Sequence, residues 1–351
     1  MPRPGGIAVV MGDRAEIFQL APVLAELGEA AWVVRADRRP SSAPHGRSCS
    51  IATTMERLDR TFAADRPEAV IVHGASDAAL AGALAADANG IPLVRMGAGM
   101  RSYEFDSIEE QNRLLLDRSA QVLCAPTAAN VVNLGAEGLG SRDVRLTGST
   151  AVEAVRHRLM AEANRLAVVR RWGLEADRYV LVTIGHPEIV DDEEALSGIM
   201  SQLAGLVDAG HPVVLPAHPR TRAAIERSGS LSCGTGVRVV DRLWHSEFLA
   251  LAAHAGVLVT DSGAVQEEAT VLKRPVLVVR RSTERPELLE GFGRVAGRRD
   301  AITAIALDEL ADDGRRARLA DLPSPFGDGR AGARIADAAR ALIRPAVRLV
   351  G

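Results

Sequence analysis

Short apolar runs rich in Val, Ile and Leu alternate with Ala/Leu-rich helical stretches along the whole chain. In the first half, Ile7–Met11, Ala31–Val34, Ala69–His73, Pro92–Met96, Val122–Ala125 and Val144–Thr147 read as strands. In the second half Tyr179–Ile184, Pro212–Pro216, Val237–Val240, Val257–Thr260 and Pro275–Val279 do so, with Arg294–Ala296 as a further candidate. Fully apolar strands separated by helices indicate parallel sheets covered on both faces. The prediction is an α/β chain of two doubly wound, parallel-sheet (Rossmann-like) domains.

The stretch VEAVRHRLMAEANRLAVVRRWG reads as one long helical segment ending at Gly173, and it places the domain boundary between Ala151 and Gly173. The expected division is an N-terminal domain over 1–155 and a C-terminal domain over 175–330. A closing helix over 331–351 is expected to pack back on the first domain. Ligands of doubly wound sheets bind beyond the C-terminal ends of the strands. The two domains are therefore expected to face a cleft lined by residues that follow strands.

Composition narrows the function classes. A net charge of −3 makes no electrostatic case for nucleic acid or an anionic membrane. Nearly all basic residues are Arg, Lys273 being the sole lysine, and Asp and Glu balance them. Cys49, Cys124 and Cys233 are far apart and fit buried thiols in a reducing cytoplasm. No apolar run approaches the roughly 18 residues of a membrane span, and the N-terminus lacks a signal-peptide layout. A cytoplasmic location is expected.

The richest stretch is VLVTDSGAVQEEATVLKRPVLVV, Val257 to Val279: strand, Ser-Gly turn, short helix, strand. Asp261-Ser262-Gly263 opens the helix, where unpaired N–H groups and the helix dipole favour a phosphate. Glu267 and Glu268 follow. A carboxylate there repels phosphate but accepts ribose hydroxyls. The other reading of the stretch is an ordinary αβ corner with Ser262 as the cap.

Other strand ends carry Gly12-Asp13-Arg14, His73-Gly74-Ala75-Ser76-Asp77, Gly97-Ala98-Gly99-Met100-Arg101, Gly185-His186-Pro187 and Ala217-His218-Pro219. Arg14 suits phosphate, or is a solvated arginine; Asp77 reads as a helix N-cap. Glu109 and Arg113 share a helix face, as a surface ion pair also would. His186 and His218 form no tight metal pattern, so polar or acid–base roles are expected and no metal. No GxGxxG follows the first strand, so a dinucleotide reading fails there, and GxSxG and P-loop motifs are absent.

Taken in order, these pieces resemble the UDP-N-acetylglucosamine 2-epimerase family, whose fold is GT-B-like. The matching segments are Val72-His73-Gly74, Glu109-Glu110 with Asn112-Arg113, Gly185-His186, and His218. Further on are Thr260 to Gly263 with Gln266-Glu267-Glu268, Thr283 to Glu287, and Gly327-Asp328-Gly329. The resemblance implies that Ser262 and Gly263 hold the diphosphate of a UDP-sugar and Glu268 its ribose. Arg14 and Arg113 supply positive charge, and His186 assists departing UDP. His73, Arg101, His218 and Arg285 are implied as further substrate contacts, and Glu109 as an acid–base group. No cofactor is implied. Members often dimerise, so a homodimer is among the expected partners.

Departures from the family pattern fall in the first half. His73-Gly74-Ala75 stands for the family's His-Gly-Asp, and Gly97-Ala98-Gly99-Met100-Arg101 for its Glu-Ala-Gly-Leu-Arg, so two carboxylates are absent. Asp77, Glu104 and Asp106 are candidates to replace one, with Asp77 carried as catalytic. Gln19 replaces a Lys, and Pro187-Glu188 an Arg pair. The Gln-His-Arg segment that helps bind an activating second UDP-GlcNAc in many bacterial members is not recognisable around Ala36–Arg39. The expected activity is interconversion of UDP-GlcNAc and UDP-ManNAc. A hydrolysing variant, a GT-B glycosyltransferase and an inactive nucleotide-sugar-binding protein are the alternatives.

Overall fold

The computed structural model describes residues 6–12, 16–36, 47–229, 236–297 and 301–343. Arg14, Cys233 and residues 37–39 lie outside the described residues.

Six parallel strands form the first sheet: β1 (Ile7–Met11), β2 (Ala31–Arg35), β3 (Ala69–His73), β4 (Leu93–Met96), β5 (Val122–Ala125) and β6 (Asp143–Leu146), in the order β2-β1-β3-β4-β5-β6. The second sheet holds β7 (Val180–Thr183), β8 (Val213–Ala217), β9 (Arg238–Asp241), β10 (Val257–Thr260), β11 (Val276–Val278) and β12 (Gly293–Val295), in the order β12-β11-β10-β7-β8-β9. Every strand predicted from the apolar runs is present, Arg294–Ala296 included as β12. Burial explains why they were legible. Every residue of β1, β4, β5, β10 and β11 is buried, whereas edge strands such as β6 and β9 have exposed ends.

The chain divides into two compact units, one of Met1–Ala154 with Phe326–Gly351, the other of Val155–Pro325. The stretch read as one helix is two, Thr150–Arg158 and Glu162–Arg171. Ala161 breaks it with extended backbone (φ −53°, ψ 147°), although neither Gly nor Pro announces the break. In the first unit, helix Ala331–Ile343 lies against helix Ile17–Leu27 and its apolar face joins the core of β1, β3, β4 and β5. Asp328 grips the Arg334 guanidinium through two bonds of 2.7 Å, which holds its carboxyl down at about 2.

In each sheet the chain reverses its direction of travel once, between β1 and β3 and between β7 and β10. The carboxyl ends of those strand pairs are where a doubly wound sheet offers its crevice.

Candidate functional site

In the second unit the crevice is built from two turns joined by one carboxylate. β7 and β10 run side by side, with Thr183 opposite Thr260 and their hydroxyls hydrogen-bonded at 2.5 Å. One residue on, Asp261 is buried, and its Oδ2 accepts the N–H groups of Gly185 at 2.8 Å and His186 at 2.7 Å. Burial raises the Asp261 pKa, and the two N–H donors pull against that rise. Sequence reading passed over Asp261 as part of the turn; its place at the end of a buried strand was the available signal.

Removing that carboxylate (Asp261→Ala) orphans two buried donors and is expected to lower stability by about 2–3 kcal/mol, measured by urea unfolding. Asp261→Asn keeps an acceptor oxygen. Because folding raises this carboxyl's pKa, ionisation of Asp261 opposes folding, and its stability contribution falls as pH rises through the carboxylate range. The stability of Asp261→Asn relative to the parent chain should therefore rise across the same range.

The helix Gly263–Leu272 starts beside this lock. Ser262 occupies the N-cap with extended backbone, but its side chain makes no capping bond, while its own N–H donates to Thr260 Oγ1 at 2.9 Å. That removes the reading of a plain Ser-capped corner and leaves the first-turn N–H groups without that cap. Gly263 is required sterically: a Cβ there would lie 2.1 Å from Nη1 of Arg285. Arg285 is buried, bonded through Nε to Glu267 at 2.5 Å and through Nη1 to Glu284. Burial opposes its charge, but Glu267 and Glu284 outweigh that, so its pKa is raised. Thr283 donates to Gln266 at 2.6 Å and anchors the same loop. Arg285 thus lies under the turn as a buttress. Glu268, one residue beyond Glu267, points elsewhere, 2.7 Å from Nε2 of His245. His245, the first residue of helix His245–Ala252, was not singled out from the sequence.

The flanking histidines are both N-caps. His186 precedes helix Pro187–Val190, and His218 precedes helix Pro219–Arg227, where its Nδ1 accepts the Arg220 N–H at 3.3 Å.

In the first unit, Glu16 occupies the β1–β3 switch. Its Oε2 accepts the Gly12 N–H at 2.7 Å and Ser76 Oγ lies 3.4 Å from Oε1. His73 Nε2 is 2.5 Å from Gln19 Oε1. Ser76, not Asp77, caps helix Asp77–Ala88. Asp77 instead receives Arg47 Nε at 2.9 Å and Asn112 Nδ2 at 3.0 Å; Arg47 also reaches Asn112 Oδ1 at 2.8 Å.

Adjacent glutamates take opposite environments at the start of helix Ile108–Ser119. Glu110 is fully buried and accepts from Ser102 N, Ser102 Oγ, Tyr103 N and Arg113. Glu109 keeps 36% of its side chain exposed, 3.9 Å from the Arg113 guanidinium. Arg113, almost wholly buried, therefore carries both carboxylates. Arg101 turns inward. Its fork binds Glu137 through two bonds of 2.7 Å and Asp117 at 2.8 Å, and its pKa is raised although burial opposes the charge. Gly97, where the resemblance expects a carboxylate, has φ +78°, so a side chain there would be strained. Among the described residues, no helix is long and apolar enough to cross a membrane.

Comparison with known proteins gives one consistent answer. The family model for UDP-N-acetylglucosamine 2-epimerase matches residues 34–340. UDP-N-acetylglucosamine 2-epimerase of Methanococcus maripaludis is 27% identical over 93% of this chain and 96% of its own length. UDP-2,3-diacetamido-2,3-dideoxy-D-glucuronate 2-epimerase of Pseudomonas aeruginosa is 32% identical, covering 81% and 77%. The crystal structure of the Methanocaldococcus jannaschii UDP-GlcNAc 2-epimerase, in complex with UDP-GlcNAc and UDP, superposes with a TM-score of 0.86 at 25% identity, over 96% of this chain and 99% of the other. The match by sequence and by fold over nearly the whole length, with both switch-point turns in place, means that this chain belongs to the UDP-N-acetylglucosamine 2-epimerase family.

Proposed function

We propose that the protein interconverts UDP-GlcNAc and UDP-ManNAc by eliminating UDP and adding it back. The observation that supports this most is the uncapped helix start at Ser262–Gly263, set at the β7–β10 switch point and locked to Gly185–His186 by Asp261. Such a start attracts a diphosphate through its N–H groups and dipole. In this reading Ser262 and Gly263 receive the diphosphate, Glu268 the ribose hydroxyls, and His186 assists the leaving UDP. Arg285 acts through Gly263, and Arg101 through its loop; neither touches substrate. Arg14 and Arg113 supply cationic charge.

The chemistry sets what the first unit must provide. C2 carries no acidic proton, because no carbonyl adjoins it. As the C1–O bond breaks, its electron pair leaves on UDP, a base takes the C2 proton, and a 2-acetamidoglucal remains. Glu109 is the base in this reading, since it is solvent-facing while Glu110 is consumed by buried donors. Re-addition of UDP with a proton on the opposite face inverts C2. Glu16, beside Gly74 and Ser76, is the acid that flanks the Ala75 position and is proposed for that side. Asp77 serves by holding Arg47 and Asn112.

The test is product analysis by anion-exchange chromatography with UDP-GlcNAc and, separately, UDP-2,3-diacetamido-2,3-dideoxy-D-glucuronate. UDP-ManNAc from the first is the expected product. Conversion of the second sugar alone would move the substrate to the uronate, and release of free ManNAc with UDP would make the enzyme hydrolytic.

A further inference from the structure

Helix geometry separates the two glutamates of Gln266-Glu267-Glu268. Gly263 and Glu267, four residues apart, share a face, and that face meets Arg285. The next residue is turned about 100° around the axis. Glu268 therefore leaves the Arg285 cluster and meets the start of another helix at His245, with Nε2 to Oε1 at 2.7 Å and each side chain 10% exposed. This contact joins the first turn of helix His245–Ala252 to the second turn of helix Gly263–Leu272.

We infer that His245 is a positioning residue for nucleotide recognition, fixing the Glu268 carboxylate in the orientation that receives the ribose diol. The inference rests on the assignment of Glu268 to the ribose. A glutamate has three rotatable bonds, and ordering such a side chain costs roughly 1.5–2 kcal/mol. An imidazole N–H on one carboxylate oxygen does that ordering before the nucleotide arrives. It leaves the second oxygen, and the remaining lone pair of the first, for hydroxyl donors. Arg285 does the corresponding work for the turn at Gly263, so the nucleotide-facing helix is braced on two faces by two different partners.

The experiment compares UDP with 2′-deoxy-UDP by calorimetric titration of the full chain, for the parent protein, Glu268→Gln, His245→Phe and His245→Gln, with Tm recorded for each. The parent should favour UDP by roughly tenfold or more, as expected for a hydrogen bond to a charged group. Glu268→Gln should lose most of that preference, and His245→Phe should fall to within about threefold of it. His245→Gln, which restores an N–H donor, should recover the preference at least in part. A parent-like preference in a folded His245→Phe chain overturns the inference, even if its Tm drops, because the contact would then be only structural. A parent-like preference in Glu268→Gln overturns the ribose assignment itself, and the role of His245 with it.

Discussion

Glu109→Gln is expected to reduce exchange of the C2 proton by roughly 10²–10⁴-fold, the usual contribution of a positioned general base. UDP affinity should stay within about twofold, because Ser262, Gly263 and Glu268, proposed to hold the diphosphate and ribose, are on the second unit. The substitution keeps shape and removes only proton-accepting capacity. Glu109 keeps part of its side chain exposed and stands 3.9 Å from the Arg113 guanidinium, so the substituted chain is expected to fold. Glu110→Gln is the internal contrast. That carboxylate accepts two backbone N–H groups and the Ser102 hydroxyl in a fully buried place, so its loss should appear first as a lower Tm. Parent-like exchange in Glu109→Gln would remove Glu109 from the chemistry.

Arg285→Met should be the most destabilising of the substitutions considered. The guanidinium is enclosed and neutralises Glu267 and Glu284, which also lie buried. Removing it takes the guanidinium from buried Glu267 and from Glu284, which keeps Arg280 at 3.2 Å, and breaking one buried pair already costs about 3–5 kcal/mol. For a unit of this size the melting temperature should fall by roughly 10 °C, followed by calorimetry. Adding Glu267→Gln should recover part of the loss, since it removes the buried carboxylate that Arg285 Nε binds. UDP affinity should fall as well, because Gly263 rests against this side chain. Unchanged UDP binding by a folded Arg285→Met chain would show that the turn holds its shape without the buttress.

The sheets were legible because central strands buried on both faces must be apolar throughout, and β1 and β5 are. The helix break at Ala161 was not, since side-chain spacing on both sides continues and only the backbone changes. In the site, Ser262 and Gly263 could be read because strand, turn and helix are contiguous there. Orientation could not. Whether Glu109 or Glu110 faces solvent depends on how helix Ile108–Ser119 is rotated against the Ser102 loop. Arg101 was implied as a substrate contact, and Glu137, 36 positions later, claims its fork. His245 and Glu268 are 23 residues apart, and nothing local in either segment announces the pairing. The departures at Ala75 and Gly97 were plain in the sequence, while Glu16, standing beside the first of them, emerged only from the fold of the β1–β3 switch.

Epimerisation breaks and remakes the C2–H bond of a UDP-sugar. The most direct measurement is proton NMR of UDP-GlcNAc incubated with the enzyme in D₂O. Deuterium at C2 together with the appearance of UDP-ManNAc is the expected result. A folded chain that binds UDP yet leaves the C2 proton in place and forms no new nucleotide sugar would contradict it.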